Sequence, residues 1–297
     1  MGESREPIPL DSDWLRAHRL PEPAVDADKN ERGRVLAIGG CGEVPGGIRL
    51  TAEAALRAGA GKVRVATIES AAVALGVAMP EIAVFRLPED DQGEIASGCE
   101  AVIAPLLERA DAVIVGPAIA SSEAAGLVVD VLLETPCRAP LVLDAAALTC
   151  LPPARIRPLQ RRKHPVILTP HLGEMAGMLD CRAREIEADR LDAVRRAART
   201  YEAICVLKGA TTLVAEPEGR VFAYAGGGVG LATGGSGDVM AGMAAGLAAR
   251  GADPLVASLW AVWLHGEAGR RCAEQVGPLG FLARELLAHV PGLMRAL

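Results

Sequence analysis

Six short apolar runs recur along the chain, each closing on turn-forming residues: Arg34–Gly40, Lys62–Thr67, Asp111–Pro117, Pro140–Asp144, Pro165–Pro170 and Ala203–Gly209. Their apolar positions are continuous rather than alternating, the pattern of parallel strands covered on both faces. Segments of helical period lie between them. Ile48–Ala58 places Ile48, Leu50, Ala52, Ala55 and Leu56 along one stripe, and Ser121–Glu134 opens on a Ser-Ser-Glu capping signal and stops before Pro136. Arg184–Tyr201 predicts one highly charged amphipathic helix. Thr211–Tyr224 predicts a hairpin turning at Glu216-Pro217-Glu218-Gly219. From Gly237 to Leu297 the pattern is almost wholly helical, with breaks at Asp253-Pro254 and Gly277-Pro278 that predict three helices. Strands alternating with helices predict an α/β fold: a doubly wound, mostly parallel sheet with helices on both faces, in three αβα layers. No linker composition or internal repeat divides the chain. Residues 32–297 therefore read as one domain, and residues 1–31, rich in proline and charge around Asp13-Trp14-Leu15, as an arm packed against it.

Composition sharpens this picture. Aromatic residues are 3% of the 297, so the core is built from Ala, Val, Leu and Ile, which lets helices sit close on a sheet. The formal net charge is −6 and no basic stripe is present, which argues against nucleic acid or anionic membrane as a partner. No apolar run reaches the ~18 residues of a membrane span, and the first residues lack the apolar stretch of a signal peptide. The seven cysteines are scattered without a C-x-x-C pair, and the five histidines form no H-x-x-x-H. A disulfide framework and a structural metal site are both disfavoured, and a reduced, cytoplasmic protein is expected.

Ligands of such sheets bind beyond the carboxyl ends of the strands. Those ends carry Gly39-Gly40, Gly116-Pro117, Asp144, Thr169-Pro170-His171 and Lys208-Gly209. Singly, each has a plain structural reading: a turn glycine, a helix cap, a solvated lysine. Together they fall on one rim. The sharpest segment is Ala232-Thr233-Gly234-Gly235-Ser236-Gly237-Asp238, a glycine-rich turn entering a helix of small residues. Unpaired backbone N–H groups and the helix dipole favour an anion there, and Gly234, Gly235 and Gly237 let a phosphate approach the backbone. Asp238 beside that phosphate is a candidate general base for a hydroxyl attacking phosphorus, or else an ordinary first-turn acid. Lys208, one of only four lysines, is followed by Gly209-Ala210-Thr211-Thr212 and suits a nucleotide phosphate. Walker A, the nucleophile elbow and the dinucleotide fingerprint are each broken: Leu56 stands where Walker A needs glycine, Asp238 where the elbow does, and Pro45 where the fingerprint does.

These segments, with Val44-Pro45-Gly46-Gly47, Ala54–Gly61, Pro80-Glu81, Leu143–Leu148 and Leu168-Thr169-Pro170-His171-Leu172-Gly173-Glu174, resemble the ADP-dependent NAD(P)H-hydrate dehydratases of the ribokinase-like superfamily. The order and spacing of the Thr-Pro-His-x-Gly-Glu, Lys-Gly-Ala and Gly-x-Gly-Asp segments make the resemblance specific, and it runs from about Gly33 to Leu287. It implies a ribokinase-like fold and a hydro-lyase that returns the S epimer of hydrated NADH or NADPH to the normal cofactor. ADP is consumed, and AMP and phosphate are released. It further implies Asp238 as base and substrate contact, with Gly47, Gly116, Ala118 and His171 around the hydrate. Lys208, Gly209, Ala210, Thr211, Thr212 and Gly237 would hold ADP or ATP, and Gly234, Gly235 and Gly237 the anion. A magnesium-bound nucleotide and a homo-oligomer are expected on the same ground, with no metal held by protein ligands alone. Two positions depart from the pattern, which usually has Gly where this chain has Ala118, and Ala where it has Gly47. An added methyl at 118 would crowd a substrate phosphate or ribose, and the methyl missing at 47 adds slack. Relatives often carry an N-terminal epimerase domain, which the 31-residue arm is too short to hold. The alternatives are a ribokinase-like small-molecule kinase and a catalytically silent nucleotide-binding homologue.

Overall fold

The computed structural model describes residues 6–151, 156, 159–162 and 164–297. Among them, ten strands form one sheet: β1 (Ile8–Pro9), β2 (Arg34–Ile38), β3 (Lys62–Ile68), β4 (Ala83–Leu87), β5 (Ala112–Val115), β6 (Leu141–Leu143), β7 (Val166–Leu168), β8 (Ile204–Leu207), β9 (Thr211–Ala215) and β10 (Val221–Ala225). The order is β1-β10-β9-β8-β7-β6-β5-β2-β3-β4. Every pairing is parallel except those of β9 with β8 and β10. From β2 the chain winds outward through β3 and β4, and from β5 it winds the other way through β6, β7 and β8. The reversal falls between β2 and β5, where Ala37 pairs with Ile114. Such a reversal opens a crevice at the strand ends.

Successive strand residues point to opposite faces, and both faces are covered, which is why the runs show no polar alternation. Val35, Ala37, Val63, Val65, Ile114, Val142, Ile167 and Val206 meet the helices Gly47–Arg57, Ser236–Ala249 and Pro254–Gln275 in one core. Leu36, Ile38, Val113, Val115, Leu143, Leu168 and Leu207 meet Glu100–Leu107, Ser122–Glu134, Leu172–Met178 and Arg190–Tyr201 in the other. These are the three layers predicted. The small-residue composition finds its use where Ser236–Ala249 crosses Gly47–Arg57. A Cβ on Gly242 would stand 2.3 Å from the Thr51 carbonyl oxygen, and one on Gly246 2.5 Å from that of Ala55. Only bare Cα atoms allow the two backbones so close. This fixes the start of Ser236–Ala249 at the crevice.

Three expectations need correction. The charged segment is two helices, Ala183–Ala188 and Arg190–Tyr201, because Asp189 leaves helical geometry and its carboxylate accepts the Asp192 N–H. The last sixty residues form four helices rather than three: after Gly277-Pro278 come the short Ala283–Leu286 and Val290–Arg295. The arm does more than pack. Its first five residues lie outside those described, but Ile8 pairs with Phe222 as a parallel edge strand, and Leu15 is fully buried. Among the described residues, no helix is long and apolar enough to cross a membrane.

Candidate active site

The crevice is framed by the turns after β2 and β5. Gly40 N–H donates to the Pro117 carbonyl at 3.2 Å, locking the two turns together. Gly116 takes φ +115 with its Cα against the Asp144 carbonyl, where a Cβ would lie at 1.7 Å, so glycine at 116 is a packing requirement. The turn then delivers Ala118 in the left-handed region, φ 57, where a side chain is strained. Its methyl faces Gly47, the first residue of the Gly47–Arg57 helix. A Cβ on Gly47 would come within 2.6 Å of the Ala118 Cβ and 3.4 Å of Asp238 Oδ2. The two departures read from the sequence are therefore one feature. The methyl that is absent at 47 would occupy the space that the Ala118 methyl fills, directly beside Asp238.

Asp238 lies in the first turn of Ser236–Ala249, whose N-cap Gly235 has φ 85 and offers no side-chain cap. It is part-buried, and burial together with the neighbouring Asp144 carboxylate pushes its carboxyl up to about 7, against the pull of Lys208. That is the range of a general base working near neutrality. Asp144 ends β6 and is buried. Its Oδ1 accepts from Thr169 Oγ1 at 2.7 Å and from Lys208 Nζ at 2.9 Å, so it caps no helix. Lys208 Nζ also lies 3.8 Å from Glu174 Oε2 and 3.4 Å from where a Gly237 Cβ would stand. Burial pulls the Lys208 ammonium down, but Asp144, Glu174 and Asp238 outweigh it and leave it raised, a fixed positive charge at the helix start.

A cavity of about 850 Å³ opens on the far side of this lysine. His171, Lys208, Gly209, Ala210, Thr212 and Gly237, all singled out from the sequence, line it. His171 caps the Leu172–Met178 helix: its Nδ1 accepts from Gly173 and Glu174 N–H, and Glu174 Oε2 accepts the His171 N–H in return. An accepting Nδ1 puts the ring proton on Nε2, which lies 3.5 Å from Glu174 Oε1. His171 and Lys208 line the cavity together, and Gly47 and Ala118 are absent from its lining. Gly234, Gly235 and Thr211 are absent from the cavity lining. Gly235 turns the chain into the helix, and the Thr211 carbonyl accepts from Arg190 Nη2 at 3.0 Å. Sequence reasoning missed that brace, gave Ser236 no role beyond the glycine-rich segment, and missed other parts of the lining, among them Tyr224, Val229, Val262 and His265. Most of these are apolar residues spread over β10, the following loop and two helices, and no spacing links them.

The carboxylates of this rim suit a magnesium ion carried on a nucleotide's phosphates. Among the described residues, no three His, Cys, Asp or Glu side chains converge to hold a metal. Asp144, Glu174 and Asp238 do offer carboxylates around Lys208, and magnesium commonly rests on phosphates with one or two such groups.

A doubly wound sheet whose strand ends gather an uncapped helix start, an elevated carboxyl and a neighbouring cavity has the architecture of the ribokinase-like class. The solved structure of a ribokinase-like superfamily protein from Enterococcus faecalis superposes with a TM-score of 0.82 at 25% identity, covering 97% of this chain and 95% of that one. Residues 35–291 match the model of the NAD(P)H-hydrate dehydratase family, and the chain belongs to that family. An ADP-dependent (S)-NAD(P)H-hydrate dehydratase of Xanthomonas campestris is 44% identical over 94% of this chain and 93% of its own. The crystal structure of an ADP/ATP-dependent NAD(P)H-hydrate dehydratase from Bacillus subtilis, co-crystallized with ATP/Mg2+, has a TM-score of 0.83 at 28% identity and covers 99% of both chains.

Proposed function

We propose that this chain dehydrates the S epimer of hydrated NADH or NADPH at the expense of ADP. The observation that carries the reading is the position of Asp238, a part-buried carboxyl that burial pushes up to about 7, beside both the Gly47–Ala118 cleft and Lys208. The hydrate lies in the cleft with its ring hydroxyl against Asp238. The nucleotide lies in the cavity, its adenine among Tyr224, Val229, Leu231 and Val262 and its phosphates toward Lys208 and Gly237. Asp238 takes the hydroxyl proton as the oxygen bonds to the terminal phosphorus of ADP. The bond from that phosphorus to the bridging oxygen breaks and AMP leaves. The N–H groups at the start of Ser236–Ala249 and the Lys208 ammonium meet the charge that develops. The ring nitrogen then expels phosphate from the neighbouring carbon, and loss of a proton from the adjoining carbon restores the dihydropyridine. A magnesium ion on the nucleotide, facing Asp144 and Glu174, would neutralise phosphate charge. Gly116 and His171 are proposed at the edges of the two compartments, with Gly116 holding the turn that carries Ala118.

The test follows the phosphate. Hydrated cofactor, magnesium and radiolabelled ADP should yield free phosphate, AMP and dihydronicotinamide absorbance in equal amounts. A label that stays covalently on an organic product, with none of the three signals from the hydrate, identifies a kinase instead. Saturable ADP binding with no turnover on any substrate identifies a silent nucleotide-binding protein.

A further inference from the structure

Ser236 is the first residue of the Ser236–Ala249 helix, two positions ahead of Asp238, and it is buried. Its Oγ lies 2.7 Å from Nε2 of His265, which projects from the Pro254–Gln275 helix packed alongside. Both residues line the cavity together with Gly237 and Lys208. A hydroxyl has one proton, so the contact has two polarities. If Nε2 accepts, the Ser236 proton points at the ring and oxygen lone pairs face the cavity. If Nε2–H donates, the Ser236 proton is free to turn into the cavity. The surroundings choose between these. The helix start and Lys208 make this the place of an anion, and lone pairs aimed at an anion are repulsive while a donated O–H is attractive. Burial, helped by Lys208, holds the imidazole down at about 4, so the ring is neutral and carries one N–H. That proton has an acceptor waiting at Ser236 Oγ.

We propose that His265 donates Nε2–H to Ser236 and so fixes the Ser236 hydroxyl as a donor to the terminal phosphate of the bound nucleotide. Ser236 is then a phosphate-binding residue of this site and His265 its positioning residue. The inference rests on the cavity being the nucleotide site. AMP, lacking the terminal phosphate, never meets the hydroxyl, and this separates the proposal from a merely structural role for the pair.

Calorimetric titration of ADP and of AMP into wild type, Ser236→Ala, His265→Gln, His265→Leu and the Ser236→Ala/His265→Leu double variant tests it. Ser236→Ala should weaken ADP by roughly 10- to 100-fold, as expected of one hydrogen bond to a charged group, and leave AMP binding as in wild type. His265→Leu should reproduce that selective loss, His265→Gln, which keeps an N–H at the same reach, should recover most of it, and the double variant should bind ADP no worse than Ser236→Ala. Parallel weakening of AMP, multiplying losses in the double variant, or no recovery with Gln would overturn the proposal. Should His265→Leu fail to fold, Ser236→Ala decides: ADP affinity equal to wild type sinks the inference while the nucleotide reading stands. Absence of ADP binding by wild type would instead sink the nucleotide reading and this inference with it.

Discussion

Restoring a methyl at position 47 should cripple the protein unless the methyl at 118 is removed with it. A Cβ at 47 would lie 2.6 Å from the Ala118 Cβ, against the 3.5–4.0 Å at which carbons are content. The shortfall is about 1 Å, and neither atom can rotate away, because each is fixed by its own backbone. The Val44–Gly47 turn or the Pro117–Ser121 loop must move, and the first of these lies beside Asp238. Overpacking of this kind costs ~1–3 kcal/mol of stability, and a misplacement of about 1 Å at reacting groups costs roughly 10²-fold in rate. Gly47→Ala should therefore lower kcat/KM about 100-fold and depress Tm. Ala118→Gly alone removes a methyl and relieves a left-handed alanine, φ 57, a strain of ~1 kcal/mol. It should hold or raise Tm and leave hydrate affinity unchanged or tighter. In the double variant the 2.6 Å clash is gone, and Val44 Cγ1 and Asp238 Oδ2 stand at 3.4 Å from the new Cβ at 47, so activity should return to within a few-fold of wild type. The assay is kcat/KM for hydrated NADPH with thermal melts across the four proteins, read as a cycle. Additive effects, with the double variant as poor as Gly47→Ala, would refute the steric coupling. Weaker hydrate binding by Ala118→Gly would show instead that the Ala118 methyl is itself a substrate contact.

Asp238→Asn should keep ADP binding and lose ~10²–10⁴-fold in turnover; a rate above half of wild type would reduce Asp238 to a first-turn acid. Since the active form is the carboxylate, wild-type kcat/KM should rise with pH and level off above about 7. The same shift sets a stability trend: the folded carboxyl keeps its proton to about 7 while an unfolded one gives it up near 3.8, so the native state binds more protons in that window and loses stability as pH rises through it. Asp238→Asn should consequently melt higher than wild type at pH 8 and equal to it at pH 4, and equal melting at pH 8 would contradict the desolvation of the group. Lys208→Ala should weaken ADP far more than hydrate and also lower Tm, because it strands Asp144, buried with Thr169 as its remaining side-chain partner among the described residues. Adding Asp144→Asn should restore Tm but not ADP affinity, whereas unchanged ADP affinity in Lys208→Ala would make the lysine a purely structural partner of Asp144.

The sheet and its ligand-bearing rim were legible because their signals are local. A parallel strand shows as an apolar run, and the residue that ends it is the residue at the rim, so the sequence alone places Gly39, Gly116, Asp144, Thr169 and Lys208 there. The helix start at Ser236 was legible for the same reason, since a glycine-rich turn and a first-turn acid are neighbours in sequence. Edge elements were harder. Strand β4 is an edge strand with Arg86 breaking its apolar run and one buried residue, Leu87, and β1 is two residues in a proline-rich arm, held by its pairing with β10. Nothing local marks either.

What stayed hidden in the site has a different cause. Gly47 and Ala118 sit 71 positions apart, and each looked like a separate departure affecting affinity. Only the crossing of the β2 and β5 turns at the sheet reversal brings their Cα atoms to face each other, and only then do a missing methyl and an added one cancel. The Ser236–His265 contact spans 29 residues and joins two helices whose spacing is set by core packing. No periodicity forecasts it, although Ser236 lay inside the glycine-rich motif. The chemistry of the site thus divides by range. Under the proposed function, the groups that would meet a phosphate come from strand ends and one helix start, where local sequence decides everything. The groups that would tune those contacts, by shape at 118 and by proton direction at 265, come from tertiary packing. Substitutions at tuning positions should accordingly be tolerated in pairs and punished singly, which is the outcome the Gly47–Ala118 cycle measures directly.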